Sequence, residues 1–243
     1  MTRAPSDLPD QDLGIPDAAD VPLLIDDPLA RQLRGFGLLG IVAALVILAG
    51  NLVFLPLSAI LVLVWTTRSR TPWRDIGFTP EPKWHRTVIS GVVFGIAFKL
   101  LMKSIVMPLL GAEPINHAYH YLAGNRAALP YALYTMIIGA GFGEETVFRG
   151  YLFERLGKLF GTNRPARIST IVLTSILFGV AHYSVQGPAG AEQATITGLV
   201  FGAIFAATGR IWFPMISHAA FDVTALAIIY WNLEARVAHL FFK

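Results

Sequence analysis

The 243-residue chain is 54% hydrophobic and only 14% charged, with a mean hydropathy of +0.57, whereas a soluble domain usually carries about 25% charged residues. That balance excludes an ordinary soluble fold, and the absence of cysteine excludes disulfides, thiolate metal sites and a cysteine nucleophile. The net charge of +3 is no signal for nucleic acid, because the basic residues fall in short loops between apolar runs and report membrane orientation.

The first 34 residues differ from the rest. Asp7, Asp10, Asp12, Asp17, Asp20, Asp26 and Asp27 alternate with Pro5, Pro9, Pro16, Pro22 and Pro28 without apolar periodicity, so residues 1–34 are expected to be a disordered acidic tail. Apolar runs follow at 35–65, 87–110, 127–142, 168–181, 194–208 and 211–231. A helix needs about 20 apolar residues to span a bilayer core. The run 35–65 is long for one span and short for two, and Gly50, Asn51 and Pro56 interrupt it. It reads as a tight helical hairpin broken near Gly50-Asn51.

The expected fold class is an all-α polytopic transmembrane helical bundle of about six to seven membrane segments. N-terminal membrane segments occupy 35–110, with an interfacial linker at 66–86 marked by Trp73, Phe78 and Trp84 among charges. A core follows at 127–232. The stretch 66–86 carries Arg68, Arg70, Arg74, Lys83 and Arg86, and 149–167 carries Arg149, Arg155, Lys158, Arg164 and Arg167. Arg126 is the one basic Lys or Arg in 111–126 and 183–192. The first two stretches are therefore expected on the cytoplasmic side.

Ionisable groups inside apolar runs are costly and mark function by default. In Gly143-Glu144-Glu145-Thr146-Val147-Phe148-Arg149, Glu145 and Arg149 share a helix face and can pair, whereas Glu144 points about 100° away. His182 closes the run Phe178-Gly179-Val180-Ala181-His182. Asn163, in the turn Gly161-Thr162-Asn163-Arg164-Pro165, is equidistant from Glu144 and His182. Two antiparallel helices folded there set both residues at one depth, roughly 27 Å from the turn at 1.5 Å per residue. His218 and Asp222 lie four apart on one face of the last run, with His218 about 12 Å beyond Arg210. A carboxylate and a histidine holding one water can deprotonate it for attack on a carbonyl, and a second histidine can stabilise the oxyanion. Arg149 opposes a rise in carboxylate pKa more directly at Glu145 than at Glu144, which assigns Glu144 as base and Glu145 as its positioned partner.

Glu144-Glu145-x-x-x-Arg149, Phe178-x-x-x-His182 and His218-x-x-x-Asp222 resemble, in order and spacing, the three motifs of the CAAX protease and bacteriocin-processing family. These are the intramembrane glutamic endopeptidases that include the type II CAAX prenyl endopeptidases and the Abi proteins. The resemblance covers residues from about 127 to 232. It implies a multi-pass protein of the cell membrane, with a membrane-associated protein or peptide as substrate and no cofactor. It implies further that Glu144 and His182 activate water, that His218 and Asp222 form the oxyanion site, and that Glu145, Arg149 and Phe178 support them. Many members carry asparagine where this chain has Asp222. Asp222 is thus either protonated or a group that orients His218.

Two other readings stay open. Two histidines and a carboxylate are a plausible zinc set with one open position, and a buried charged network can serve a non-catalytic immunity or scaffold protein. There is no His-Glu-x-x-His sequence and no Gly-x-Ser-x-Gly elbow. Lys99 and Lys103 are expected to snorkel to an interface or to pair with a carboxylate. His85, His117, His120 and His239 receive no role. Lipid bilayer and substrate are the expected partners.

Overall fold

The computed structural model describes residues 27–242, which form helices and connecting turns with no strand among them. Most of the expected tail lies outside the described residues, but its last seven residues are helical. Asp27 caps α1 (Pro28–Arg34) by accepting from the Leu29 N–H at 3.0 Å, and Pro28 occupies the first helical position. A cap followed by proline starts a helix even where the composition is that of a tail.

The run 35–65 is a hairpin. Helix α2 (Leu38–Ala49) and helix α3 (Leu57–Arg68) are antiparallel: Trp65 Nε1 donates to Leu33 O at 3.1 Å and Arg34 to Ser69 O at 2.8 Å. Asn51 and Ser58 close the turn with a reciprocal pair, each backbone N–H donating to the other's side chain at 2.9 Å. A 12-residue helix is roughly 18 Å long, short of the roughly 30 Å hydrocarbon core.

Helix α4 (Trp84–Leu101) runs on through a π-helical stretch, Met102–Val106, into α5 (Met107–Leu109). A second continuous rod begins as α6 (Leu129–Tyr134), widens into π-helical turns over Thr135–Glu144 and Thr146–Leu152, and ends as α7 (Phe153–Phe160). Asn163 caps α8 (Arg164–Thr208), accepting from the Ala166 N–H at 2.9 Å. The backbone of α8 leaves helical geometry at Gly187, where φ is 66°, directly before Pro188. There α8 folds back on itself. A Cβ on Gly198 would lie 3.0 Å from Ser175 Cα, one on Gly179 would lie 2.0 Å from Thr195 Oγ1, and Arg167 donates to Ala206 O. These pairs straddle Gly187 symmetrically, so α8 is two antiparallel limbs. Glycine takes this positive φ without a Cβ penalty. Helices α9 (Trp212–Tyr230) and α10 (Glu234–Ala238) complete the chain.

The seven apolar segments expected from sequence are therefore all helical: α2, α3, α4 with α5, the 129–160 rod, the two limbs of α8, and α9. Trp84–Leu109, Arg164–Thr208 and Trp212–Tyr230 are long and apolar enough to cross a membrane. Leu38, Leu45, Ile89, Val93 and Val180 stand exposed on the outer helix faces, an apolar belt suited to lipid.

Small residues set the helix spacing, as expected where lipid gives no hydrophobic drive for association. Gly91 and Gly95 of α4 lie against Ile216, Ser217 and Ala220 of α9, and Gly141 lies against Met215 and Ala219. Helix α4, which sequence grouped with the N-terminal segments, is thus a wall of the core. Phe98 packs edge-on to Phe201 at 5.9 Å and beside Phe221 at 5.4 Å.

The basic loops gather at one end. Arg155 donates to Arg34 O and Gly35 O at 2.6 and 2.8 Å, and Arg210 pairs with Glu81 at 3.1 Å. The backbone N–H of Lys83, and after it Arg210, hold the Glu81 carboxyl below its ordinary value. Phe78, Trp84 and Trp212 form an aromatic cluster, with Trp212 Nε1 donating to Thr79 O at 2.7 Å. The interfacial linker therefore packs on the start of α9. At the opposite end Gln186, beside the α8 fold, donates to Tyr119 Oη at 3.3 Å.

Candidate functional site

The residues singled out in sequence converge. Glu144, Glu145 and Arg149 come from the rod, Phe178 and His182 from the first limb of α8, and His218 and Asp222 from α9. His182 Nε2 lies 3.9 Å from Glu144 Oε1, and His218 Nε2 lies 3.8 Å from Glu144 Oε2. The turn at Asn163 does bring Glu144 and His182 to one level. Both separations exceed a direct hydrogen bond.

Hydrogen bonds place a proton on Nδ1 of each imidazole. His182 Nδ1 lies 2.8 Å from Phe178 O. A carbonyl only accepts, so Nδ1 carries the proton and Nε2 presents its lone pair toward Glu144. His218 Nδ1 lies 2.7 Å from Glu145 Oε1 and donates to it, which turns Nε2 toward Glu144 and Asp222.

Glu145 is held in turn. Arg149 donates to the same Oε1 at 2.9 Å and to Gly198 O at 3.3 Å, and its guanidinium sits 4.9 Å from the Phe178 ring and 5.7 Å from the Phe201 ring. Glu145 and Arg149 are 0% and 1% exposed. Phe178 also meets His182 at 4.5 Å and His218 at 5.9 Å, so one aromatic ring touches three members of the cluster.

Asp222 does not bond the His218 ring. Its Oδ2 is 3.7 Å from His218 Nε2, beyond hydrogen-bond range. The group that orients His218 is Glu145, a residue that sequence paired with Arg149 and set beside the base Glu144. No sequence signal connects positions 145 and 218; only the rotation of α9 against the rod does.

The cluster forms one wall of a cavity of about 720 Å³, which also borders Lys99, Tyr119 and Gln193. Burial pushes the Tyr119 phenol up to about 12, so it stays a neutral hydroxyl. Lys103 pairs with Glu234 at 3.9 Å and donates to Pro114 O at 2.5 Å, one of the two fates expected of it. Lys99 meets neither expectation. It is buried in the cavity wall and donates to Gln193 Oε1 at 3.1 Å. His120, given no role from sequence, bonds Glu234 at 3.1 Å. Among the described residues no three His, Asp or Glu side chains are arranged to hold a metal ion.

Fold and cluster define an integral membrane helical protein whose buried centre is built from carboxylates and histidines. Residues 126–224 match the family model described as type II CAAX prenyl endopeptidase Rce1-like, so this segment is similar to that family. No curated protein and no solved structure matches the chain.

Proposed function

We propose that the protein is an intramembrane endopeptidase in which Glu144 and His182 activate water. The observation that carries this reading is the convergence of two imidazole Nε2 atoms on the Glu144 carboxylate at 3.8 and 3.9 Å. One water bridges such gaps with ordinary hydrogen bonds. The His182 lone pair accepts one water proton in a hydrogen bond and Glu144 takes the other. The hydroxide attacks the peptide carbonyl carbon, giving a tetrahedral oxyanion. A His218 ring protonated on both nitrogens donates from Nε2 to that oxyanion while Nδ1 remains on Glu145. A protonated Asp222 supplies a second donor. The C–N bond then breaks as the proton on Glu144 passes to the leaving nitrogen, yielding a new carboxyl terminus and a free amine.

The substrate is a membrane-associated protein or peptide that enters the cavity, the bilayer is the solvent of the belt, and no cofactor takes part. The cell membrane is the proposed location. Trapping with Glu144→Gln protein, reconstituted in lipid, tests the reading. Peptides that accumulate on this variant and are cut by the wild type support it. Wild-type turnover by Glu144→Ala and His182→Ala would leave a non-enzymatic membrane scaffold.

A further inference from the structure

Lys99 is 7% exposed and lies in an apolar helix, yet no carboxylate among the described residues comes within 4.0 Å of its Nζ. An ammonium carries three donors, and Lys99 uses one, to Gln193 Oε1 at 3.1 Å. It also lies over the face of Phe221, 4.7 Å from the ring centroid, a weak contact for a cation. Gln193 spends its carbonyl on Lys99, while its amide nitrogen has no partner among the described residues. Both side chains border the cavity that holds Glu144 and Asp222. Lys103, one turn along, is different, since Glu234 and Pro114 O occupy it. A buried ammonium with no carboxylate in contact is expensive at membrane depth, and the water-activating cluster does not use it.

We infer that Lys99 and Gln193 form an anchor for a carboxylate of the peptide substrate. Lys99 supplies the charge and two free donors, and the Gln193 amide supplies a third, a set that suits a carboxylate's two oxygens. A cavity of about 720 Å³ lies within the roughly 300–1,000 Å³ of small-ligand pockets, so it takes a short stretch of chain. The carboxylate is either the peptide's C-terminus or an acidic side chain near the cleaved bond. Anchoring it would place the scissile carbonyl at a set distance from Glu144. This inference rests on the peptidase reading for its substrate class.

The test uses the full chain in lipid nanodiscs and N-terminally fluorescent apolar pentapeptides of four forms: free acid, C-terminal amide, and amides with one internal glutamate or glutamine. Binding to Glu144→Gln protein is read by anisotropy, and cleavage by the wild type is read separately. The expected result is that the acid binds about 30-fold tighter than the amide, about 2 kcal/mol at 1.4 kcal/mol per tenfold. Lys99→Met in that background should erase the difference, and Lys99→Arg should keep part of it. Preference for internal glutamate over glutamine, with no acid preference, assigns the anchor to a side-chain carboxylate. Removing an unpaired buried charge should leave the melting temperature of Lys99→Met unchanged or raised, which separates loss of the anchor from misfolding. A protein that distinguishes none of the forms, whether it binds them alike or not at all, overturns the anchor. So does charge selectivity that survives Lys99→Met. Acid-selective binding without wild-type cleavage keeps the anchor and removes the peptidase reading; cleavage without carboxylate selectivity does the reverse.

Discussion

His218 donates through Nδ1 to Glu145 Oε1 at 2.7 Å, across 73 positions of sequence. The same oxygen accepts from Arg149 at 2.9 Å. Glu145 therefore carries two loads, the buried ion pair and the orientation of the imidazole that faces the cavity. Removing one partner of a buried pair leaves a stranded charge and costs about 3–5 kcal/mol. Glu145→Ala and Arg149→Ala should each lower the melting temperature steeply. The double variant Glu145→Leu/Arg149→Met should recover much of that stability but not turnover, because His218 is left without its acceptor. Recovered turnover in the double variant would assign Glu145 a purely structural role.

Glu144 behaves differently. Its Oε2 is buried and has no hydrogen-bond partner among the described residues, and the two imidazoles stand 3.8 and 3.9 Å off, beyond a direct bond. Glu144→Ala and His182→Ala should keep the melting temperature while turnover falls about 10² to 10⁴-fold. Activity should survive chelation if the base acts on free water. Loss with EDTA or phenanthroline, restored by zinc, would transfer the same residues to a metalloprotease.

Asp222 and His218 separate on the geometry. His218→Ala removes a donor and should cost about 10² to 10³ in turnover. Asp222→Asn leaves the Glu145–His218 bond intact and keeps a donor at the cavity, so turnover should stay within about tenfold, about 1.4 kcal/mol. A loss as large as that of His218→Ala, at unchanged stability, would mean that Asp222 and not Glu145 sets the imidazole.

Gly95 tests how the site is positioned. A Cβ there would lie 2.3 Å from Ser217 O, on the residue preceding His218. Gly95→Ala should cost about 1–3 kcal/mol through overpacking and lower turnover by moving α9. Gly157→Ala is the control, since a Cβ there meets nothing within 4 Å. It should be neutral or stabilising by up to about 1 kcal/mol.

Orientation follows from the clustered arginines and lysines. In this cysteine-free chain, single cysteines at Thr162 and His117 should label from opposite sides, with position 162 cytoplasmic. Labelling of position 162 by an impermeant reagent from outside would invert the topology.

Much of this molecule follows from one-dimensional rules. Apolar run length defines a helical membrane protein, the break at Gly50-Asn51 yields the hairpin, and equal spacing about Asn163 sets Glu144 and His182 at one depth. Helical period puts His218 and Asp222 on one face and pairs Glu145 with Arg149. These hold because rise and period per residue are the same in nearly any helix. The fold-back of α8 is legible only in part: its two apolar runs are separate in sequence, but nothing there singles out Gly187, the non-helical residue inside α8, as the turn. What the tertiary structure alone decided is rotation. Which carboxylate holds His218, that Asp222 stands 3.7 Å off, and that Lys99 faces the cavity instead of an interface all depend on how α4, α9 and the rod turn about their own axes. Depth along a helix is counted in residues. Azimuth against a neighbour is set by packing, here by Gly91, Gly95 and Gly141 drawing α4 and the rod onto α9.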